Sequence, residues 1–291
     1  MKDACMTCET LPIWHPKLNS PSNEDDCDSD AAARRIYQEV SNSVVEIKSK
    51  NEYGATGTAS GFFVGNGDEI MTCAHVAADA GRAPLEIITK DGKDYTALIE
   101  AVDTVDDLAV LKLQGLAPGT YKPLQFRPSA SLQIGEDMFM LGHPHGRSQV
   151  IIAPGQLEKR GTLIDLLDQD YQRKLQALMR SKDVQTSTQA KAQADAPRLE
   201  SDANIERGDS GSPVVDSNGL VIGVGANYVR PALGYSASLE VPSELAINLL
   251  NPANHNRQFV YQISTIPPAH LGDAPTQQLR LVTDPVEVEK F

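Results

Sequence analysis

Twelve short β segments, in two runs of six, constrain this chain most. The first run reads Val44–Lys48, Thr58–Val64, Glu69–Cys73, Leu85–Thr89, Tyr95–Val102 and Leu108–Leu113. The second reads Asp137–Leu141, Gln149–Leu157, Leu199–Ile205, Ser212–Val215, Leu220–Ala226 and Gly234–Leu239. Turn signals separate them, and Asn218-Gly219 is the strongest short hairpin signal known. Six closely spaced strands fit a small antiparallel barrel, which leaves no open edge. The spacing therefore predicts an all-β fold of two packed six-stranded antiparallel β-barrels, joined through the Pro- and Gly-bearing stretch 116–131, with a site at their interface. Before them, Asp28, Ser29 or Asp30 can cap a short helix over Ala31–Val40. After them, Pro242–Leu250 reads as a terminal helix.

Ser210 lies in Gly208-Asp209-Ser210-Gly211, followed by the apolar Pro213-Val214-Val215. Two glycines permit a sharp turn that exposes the serine and aims the Gly208 and Ser210 amides, with Asp209 a third candidate, at one developing oxyanion. Such a serine needs a base. His75 ends the apolar run Ile70–Ala74, and Asp106-Asp107 opens the alternating strand Leu108–Leu113. In chain order the candidates are His75, Asp107 and Ser210, with Asp106 a direct competitor to Asp107. Taken singly, a histidine ending a strand is usually structural and an acid opening one is usually a solvated cap.

The order and the local words resemble the chymotrypsin-like serine proteases, most closely the HtrA/Deg branch. Ala59–Val64, Asp107–Leu113, Leu141–Gly146 and Gly234–Pro242 carry the resemblance, which covers about residues 35–250. It implies a trypsin-like fold and a serine endopeptidase in which His75 is the base, Asp107 orients it and Ser210 attacks. It also implies protein or peptide substrates and, since HtrA-type proteases are commonly trimers, a homo-oligomer. Asn204, Ile205, Gly225, Ala226 and Asn227 would line the specificity pocket. None is charged, so a small or medium apolar residue is expected before the cleaved bond, and Arg or Lys is not. An extended substrate would pair with the strand near Gly225–Asn227. The rival reading is an inactive protease-fold module that binds peptides; its signature, a substituted triad, is missing from these residues.

Two departures stand out. Asp209 occupies a position where HtrA-like sequences usually carry asparagine, and a buried carboxylate there calls for a cation, with Arg207, Arg230 and His143 as candidates. His143 and His145 otherwise read as packing or loop residues. Residues 159–197 form an insertion: Leu163, Leu167, Tyr171, Leu175 and Leu178 predict an amphipathic helix over Thr162–Arg180, followed by the aperiodic, alanine-rich 181–196. It is either surface decoration or a lid or sensor over Ser210.

The domain reading is an acidic disordered segment, 1–30, a protease domain, 31–250, split near residue 128, and an extension, 251–291, with strands expected at Gln258–Ile263 and Leu279–Val282. That extension is shorter than the PDZ domain common in HtrA-type proteins. The net charge of −13 argues against a nucleic-acid partner. No apolar run reaches membrane-span length. The first residues lack a secretory leader's apolar core, so the expectation is either that the protein stays inside or, if a leader was removed, that it is periplasmic or exported. Cys5, Cys8, His15 and Cys27 could supply metal ligands, but their irregular spacing in an acidic segment speaks against it, and no metal or cofactor is expected. Cys73 is expected to be a buried thiol.

Overall fold

Strand-by-strand burial closes the first barrel. The computed structural model describes Pro12 and residues 24–50, 56–79, 84–229, 237–257, 260–266 and 276–282. Side chains of 24–30, 227–229, 255–257, 260–266 and 276–282 lie outside that description. Strands β1 (Val44–Lys50), β2 (Thr56–Val64), β3 (Glu69–Thr72), β4 (Leu85–Thr89), β5 (Asp94–Asp103) and β6 (Leu108–Leu113) form a closed barrel in the order β1-β2-β3-β6-β5-β4. Every pairing is antiparallel, and β4 returns to β1 with Val45 opposite Thr89. Val45, Ile47, Phe62, Ile70, Ile87 and Leu111 are fully buried in it.

The second barrel repeats the plan. β7 (Asp137–Gly142), β8 (Ile151–Thr162), β9 (Pro197–Ser201), β10 (Pro213–Val215), β11 (Val221–Val229) and β12 (Ala237–Pro242) close in the order β10-β11-β12-β9-β8-β7. The two interiors are not separate. Phe139, Leu141, Val215, Val221, Val224 and Val241 of the second barrel belong to the same apolar cluster as the first barrel's core. The connecting stretch is pinned at both ends: Tyr121 stacks on Phe63 with ring centroids 4.4 Å apart, and Arg127 pairs with Glu136 at 2.7 Å and the buried Asp216 at 2.9 Å.

Helices seal the assembly. α1 (Glu24–Val40) starts inside the acidic stretch expected to lack structure and buries Ala33, Ile36, Tyr37 and Val40, one face of a helix. Pro12 also touches the second barrel, accepting from the Ile152 amide at 3.2 Å. The short α2 (Ala74–Asp79) carries His75, which therefore opens a helix rather than ending a strand. The insertion is three helices where one was expected: α3 (Leu163–Leu166), α4 (Gln169–Met179) and α5 (Val184–Ala194). Asp168 causes the break by capping α4, its side chain accepting from the Asp170 and Tyr171 amides. Ala190 and Ala194 bury against Leu175, so α5 docks through small residues that carry no amphipathic signal. α6 (Ser243–Leu250) follows β12, and β13 (Val260–Ile266) and β14 (Thr276–Val282) form a separate two-stranded sheet. Among the described residues no helix is long and apolar enough to cross a membrane.

Because Ile36 is fully buried, Ile36→Ala should cost about 3 kcal/mol of stability in urea unfolding. A loss under about 1 kcal/mol would mean that α1 is not part of the core.

Candidate active site

His75 is the second residue of α2, entering from the buried end of β3. Its amide donates to Asp107 Oδ1 at 3.0 Å and its Nδ1 meets Asp107 Oδ2 at 2.8 Å. Both carboxylate oxygens are thus spent on one residue. A carboxylate only accepts, so an Nδ1 proton lies in this bond. Asp107 closes the turn 104–107 with φ +64°, a left-handed conformation that aspartate tolerates better than most residues. Asp106 faces elsewhere: burial and the neighbouring Asp103 push its carboxyl up to about 6, and its carbonyl accepts from Arg198. Geometry thus separates two carboxylates that compete in the sequence.

Cys73, His75 and Asp107 present ligand atoms within 4.8 Å of one another. Their chemistry does not suit a metal. Burial pushes the Cys73 thiol well above its usual range, Sγ donates to the Gly225 carbonyl at 3.3 Å, and Nδ1 is committed to Asp107.

The loop of Ser210 is built against the first barrel. Gly208 has φ +106°, and a Cβ there would lie 2.5 Å from the His143 carbonyl. Gly211 has φ +87°, and its Cβ would lie 2.2 Å from both the Ser60 carbonyl and Thr72 Oγ1. Ser60 of β2 is the hub. Its amide donates to the Ser210 carbonyl at 2.9 Å, its hydroxyl donates to the Gly208 carbonyl at 2.7 Å, and the same hydroxyl accepts from the His143 amide at 2.9 Å. Thr72, three residues before His75, donates to the Ser60 carbonyl at 2.8 Å. Sequence reasoning missed Ser60 and Thr72 as site-builders, although Ser60-Gly61 sat in a segment already noted for its resemblance.

Among the described residues the Gly208 and Ser210 amides donate to no protein acceptor. The Asp209 amide does, to the Glu206 carbonyl at 3.0 Å, so it is not available as a third oxyanion donor. The expected cation beside Asp209 also needs correction. Asp209 is 6% exposed, and Oδ2 accepts from the Glu206 amide at 2.9 Å. Burial, with the Glu206 carboxylate adding to it, pushes its carboxyl up to about 7. His143 is buried with Nδ1 against the Arg147 carbonyl at 2.7 Å, and burial lowers its pKa, which keeps it neutral. His145 pairs with Glu206 instead, at 2.8 Å. Arg207 forms no ion pair with Asp209 among the described residues, and Arg230 lies outside them. Asp209 is held by an amide and by partial neutralisation rather than by a cation.

A small cleft beside Asp209 is lined by Met140, Gly142, Pro144, Ile151, Ala153, Asn204 and Glu206. Of the other specificity candidates, Ile205 and Ala226 are buried, and the side chain of Asn227 lies outside the description. Gly225 cannot pair with a substrate as expected. Its carbonyl accepts from Gly211 and Cys73 and its amide donates to the Ser212 carbonyl. The ladder shifts register between Gly225 and Asn227, which leaves Ala226 as a bulge. Opposite Gly225 stands Glu240, fully buried, Oε1 accepting from Ser201 at 2.7 Å. Burial pushes Glu240 up to about 8, so it is mostly neutral at pH 7.

A carboxyl whose pKa rises on folding weakens the fold as pH climbs from its unfolded to its folded value. For Asp209 that window runs from 3.8 to about 7. Asp209→Asn should therefore match the parent at pH 4 and melt at a higher temperature at pH 8. Parallel melting curves for the two proteins across that range would contradict the burial account.

Residues 59–224 match the family model described as the trypsin-like peptidase domain. A probable periplasmic serine endoprotease, DegP-like, from Chlamydia trachomatis serovar D is 30% identical over 195 residues, 66% of this chain and 33% of that protein. The mitochondrial serine protease HTRA2 of Drosophila erecta is 28% identical over 182 residues, 62% of this chain and 37% of that protein. The chain thus spans about a third of the length of these relatives. Among solved structures, the HtrA-type protease AlgW with tripeptide aligns over 81% of this chain and 70% of that one, with a TM-score of 0.60 at 17% identity, a likeness of fold. With two closed barrels and the matching span covering more than half its length, this chain belongs to the trypsin-like peptidase domain family, among relatives of the HtrA/DegP type.

Proposed function

We propose that this protein is a serine endopeptidase in which Ser210, His75 and Asp107 form the catalytic triad. The observation that carries the reading is the pair of hydrogen bonds from His75 to Asp107, one from the Nδ1 and one from the backbone amide. In the neutral imidazole it leaves the Nε2 lone pair to act as the base. Ser210 Oγ attacks the peptide carbonyl carbon as its proton passes to Nε2. Asp107 stabilises the imidazolium that results. The oxygen of the tetrahedral intermediate takes its negative charge towards the amides of Gly208 and Ser210; one such donor is typically worth about 3 kcal/mol. The imidazolium then gives its proton to the leaving amine. Water, activated by the same histidine, hydrolyses the ester on Ser210.

The substrate class is protein or peptide, in keeping with relatives that are named as serine proteases. An apolar residue before the cleaved bond fits the apolar side chains of Met140, Pro144, Ile151 and Ala153 that line the cleft. Substrate backbone would pair at the Ala226 bulge rather than at Gly225.

Fluorophosphonate labelling of the intact protein should fall on Ser210 and vanish in Ser210→Ala and His75→Ala. Asp107→Asn should slow it by up to about 10⁴-fold. Cleavage-site profiling should return apolar residues. A folded protein that does not label, or that labels equally well without His75, defeats the assignment.

A further inference from the structure

The turn 104–107 that delivers Asp107 to His75 is held by two side chains from outside its own barrel. Gln193, near the end of α5, donates from Nε2 to the Thr104 carbonyl at 2.8 Å. Arg198, the second residue of β9, donates from Nη2 to the Asp106 carbonyl at 3.1 Å and from Nη1 to the Pro197 carbonyl at 2.8 Å. The two lie on the limb that carries the chain from the helical insertion back into the second barrel.

Neither contact is incidental surface chemistry. Arg198 is 2% exposed, and its guanidinium feels the charges of Asp107, Asp106 and Asp103. Burying a guanidinium is costly, and this one is bonded to backbone carbonyls, with Nε finding no acceptor. The turn itself needs outside support. Asp107 sits at φ +64°, a conformation that persists where the surroundings over-determine it. Inside the turn, Asp103 Oδ1 accepts from the Val105 and Asp106 amides at 3.0 Å each. The carbonyls of Thr104 and Asp106 are the groups that Gln193 and Arg198 take. Amides on one side and carbonyls on the other are thus both fixed.

We propose that Gln193 and Arg198 are positioning residues, and that the end of the insertion together with the start of β9 acts as a brace which sets the Asp107 turn and, through it, the attitude of His75. The brace rests on the triad assignment above, and it gives the insertion a role other than surface decoration or a lid.

The test is the second-order rate of fluorophosphonate labelling of the full chain for wild type, Gln193→Ala and Arg198→Met, each alone and combined with Asp107→Asn. The downfield proton signal of the His75 Nδ1–H is recorded alongside. Expected are a slowing of about 3- to 10-fold for Gln193→Ala and of about 10-fold or more for Arg198→Met, with the downfield signal shifted or broadened in both. On the Asp107→Asn background neither substitution should slow labelling further, because both act through that carboxylate. Unchanged rates, or the same loss on the Asp107→Asn background, would overturn the brace. Gln193 is half-buried on a helix that accepts alanine, so that variant tests the proposal even if Arg198→Met does not fold. A wild type that fails to label at Ser210 defeats the triad assignment itself. Labelling at Ser210 with additive variants defeats the brace alone.

Discussion

Ser60 joins the two halves of the site. Each barrel can close its own hydrogen-bond ladder, but neither can fix the position of Ser210 relative to His75. That relation is set where β2 of the first barrel meets the Gly208–Gly211 loop of the second. One serine contributes an amide and a hydroxyl to two carbonyls of that loop and receives the His143 amide in return. Thr72 ties the same residue to the strand leading to His75. The approach is close enough that a single methyl group at Gly208 or Gly211 would collide with backbone. The placement of Ser210 in this protein is therefore a property of the barrel interface, which the shared apolar core keeps in register.

Around that interface the molecule buries charge in an uneven way. Asp209 and Glu240 are carboxyls whose burial outweighs their hydrogen bonds, so each stays partly protonated near neutral pH. Arg198 is buried beside three aspartates without a short ion pair among the described residues. These groups weaken the fold, and they sit in the Gly208–Gly211 loop, in the wall of the second barrel and under the turn of Asp107. Retaining them at such positions fits a molecule whose interior polar groups orient the site more than they stabilise the chain.

Most strands were legible because β structure repeats every two residues and turns carry Gly, Asn and Pro. The insertion was harder. A continuous Leu163-to-Leu178 pattern hid the break at Asp168, since a capping aspartate on the polar face does not disturb apolar spacing. α5 was invisible because it docks through Ala190 and Ala194, which look like any alanine in a polar run. The candidate triad residues stood in recognisable local words, and abutting the Leu108–Leu111 run favours Asp107 over its competitor Asp106; in the structure it is Asp107 that His75 bonds. The Asp209 expectation failed because sequence says which cations exist, not that His145 is committed to Glu206 and His143 to a carbonyl. Gln193 and Arg198 lie far from Asp107 along the chain and have no motif, so only the folded chain reveals their contacts with its turn.

On the triad assignment proposed above, the Ser60 hydroxyl holds the Gly208–Gly211 loop in the shape that lets Ser210 react. Ser60→Ala keeps the amide bond to Ser210 and removes only the hydroxyl shared by Gly208 and His143. The decisive measurement is the fluorophosphonate labelling rate of that variant, taken well below its melting temperature. The account predicts a loss of about 10-fold or more while the barrels stay folded. A Ser60→Ala protein that labels at the wild-type rate would contradict it, and would mean that the loop keeps its shape without the first barrel's hydroxyl.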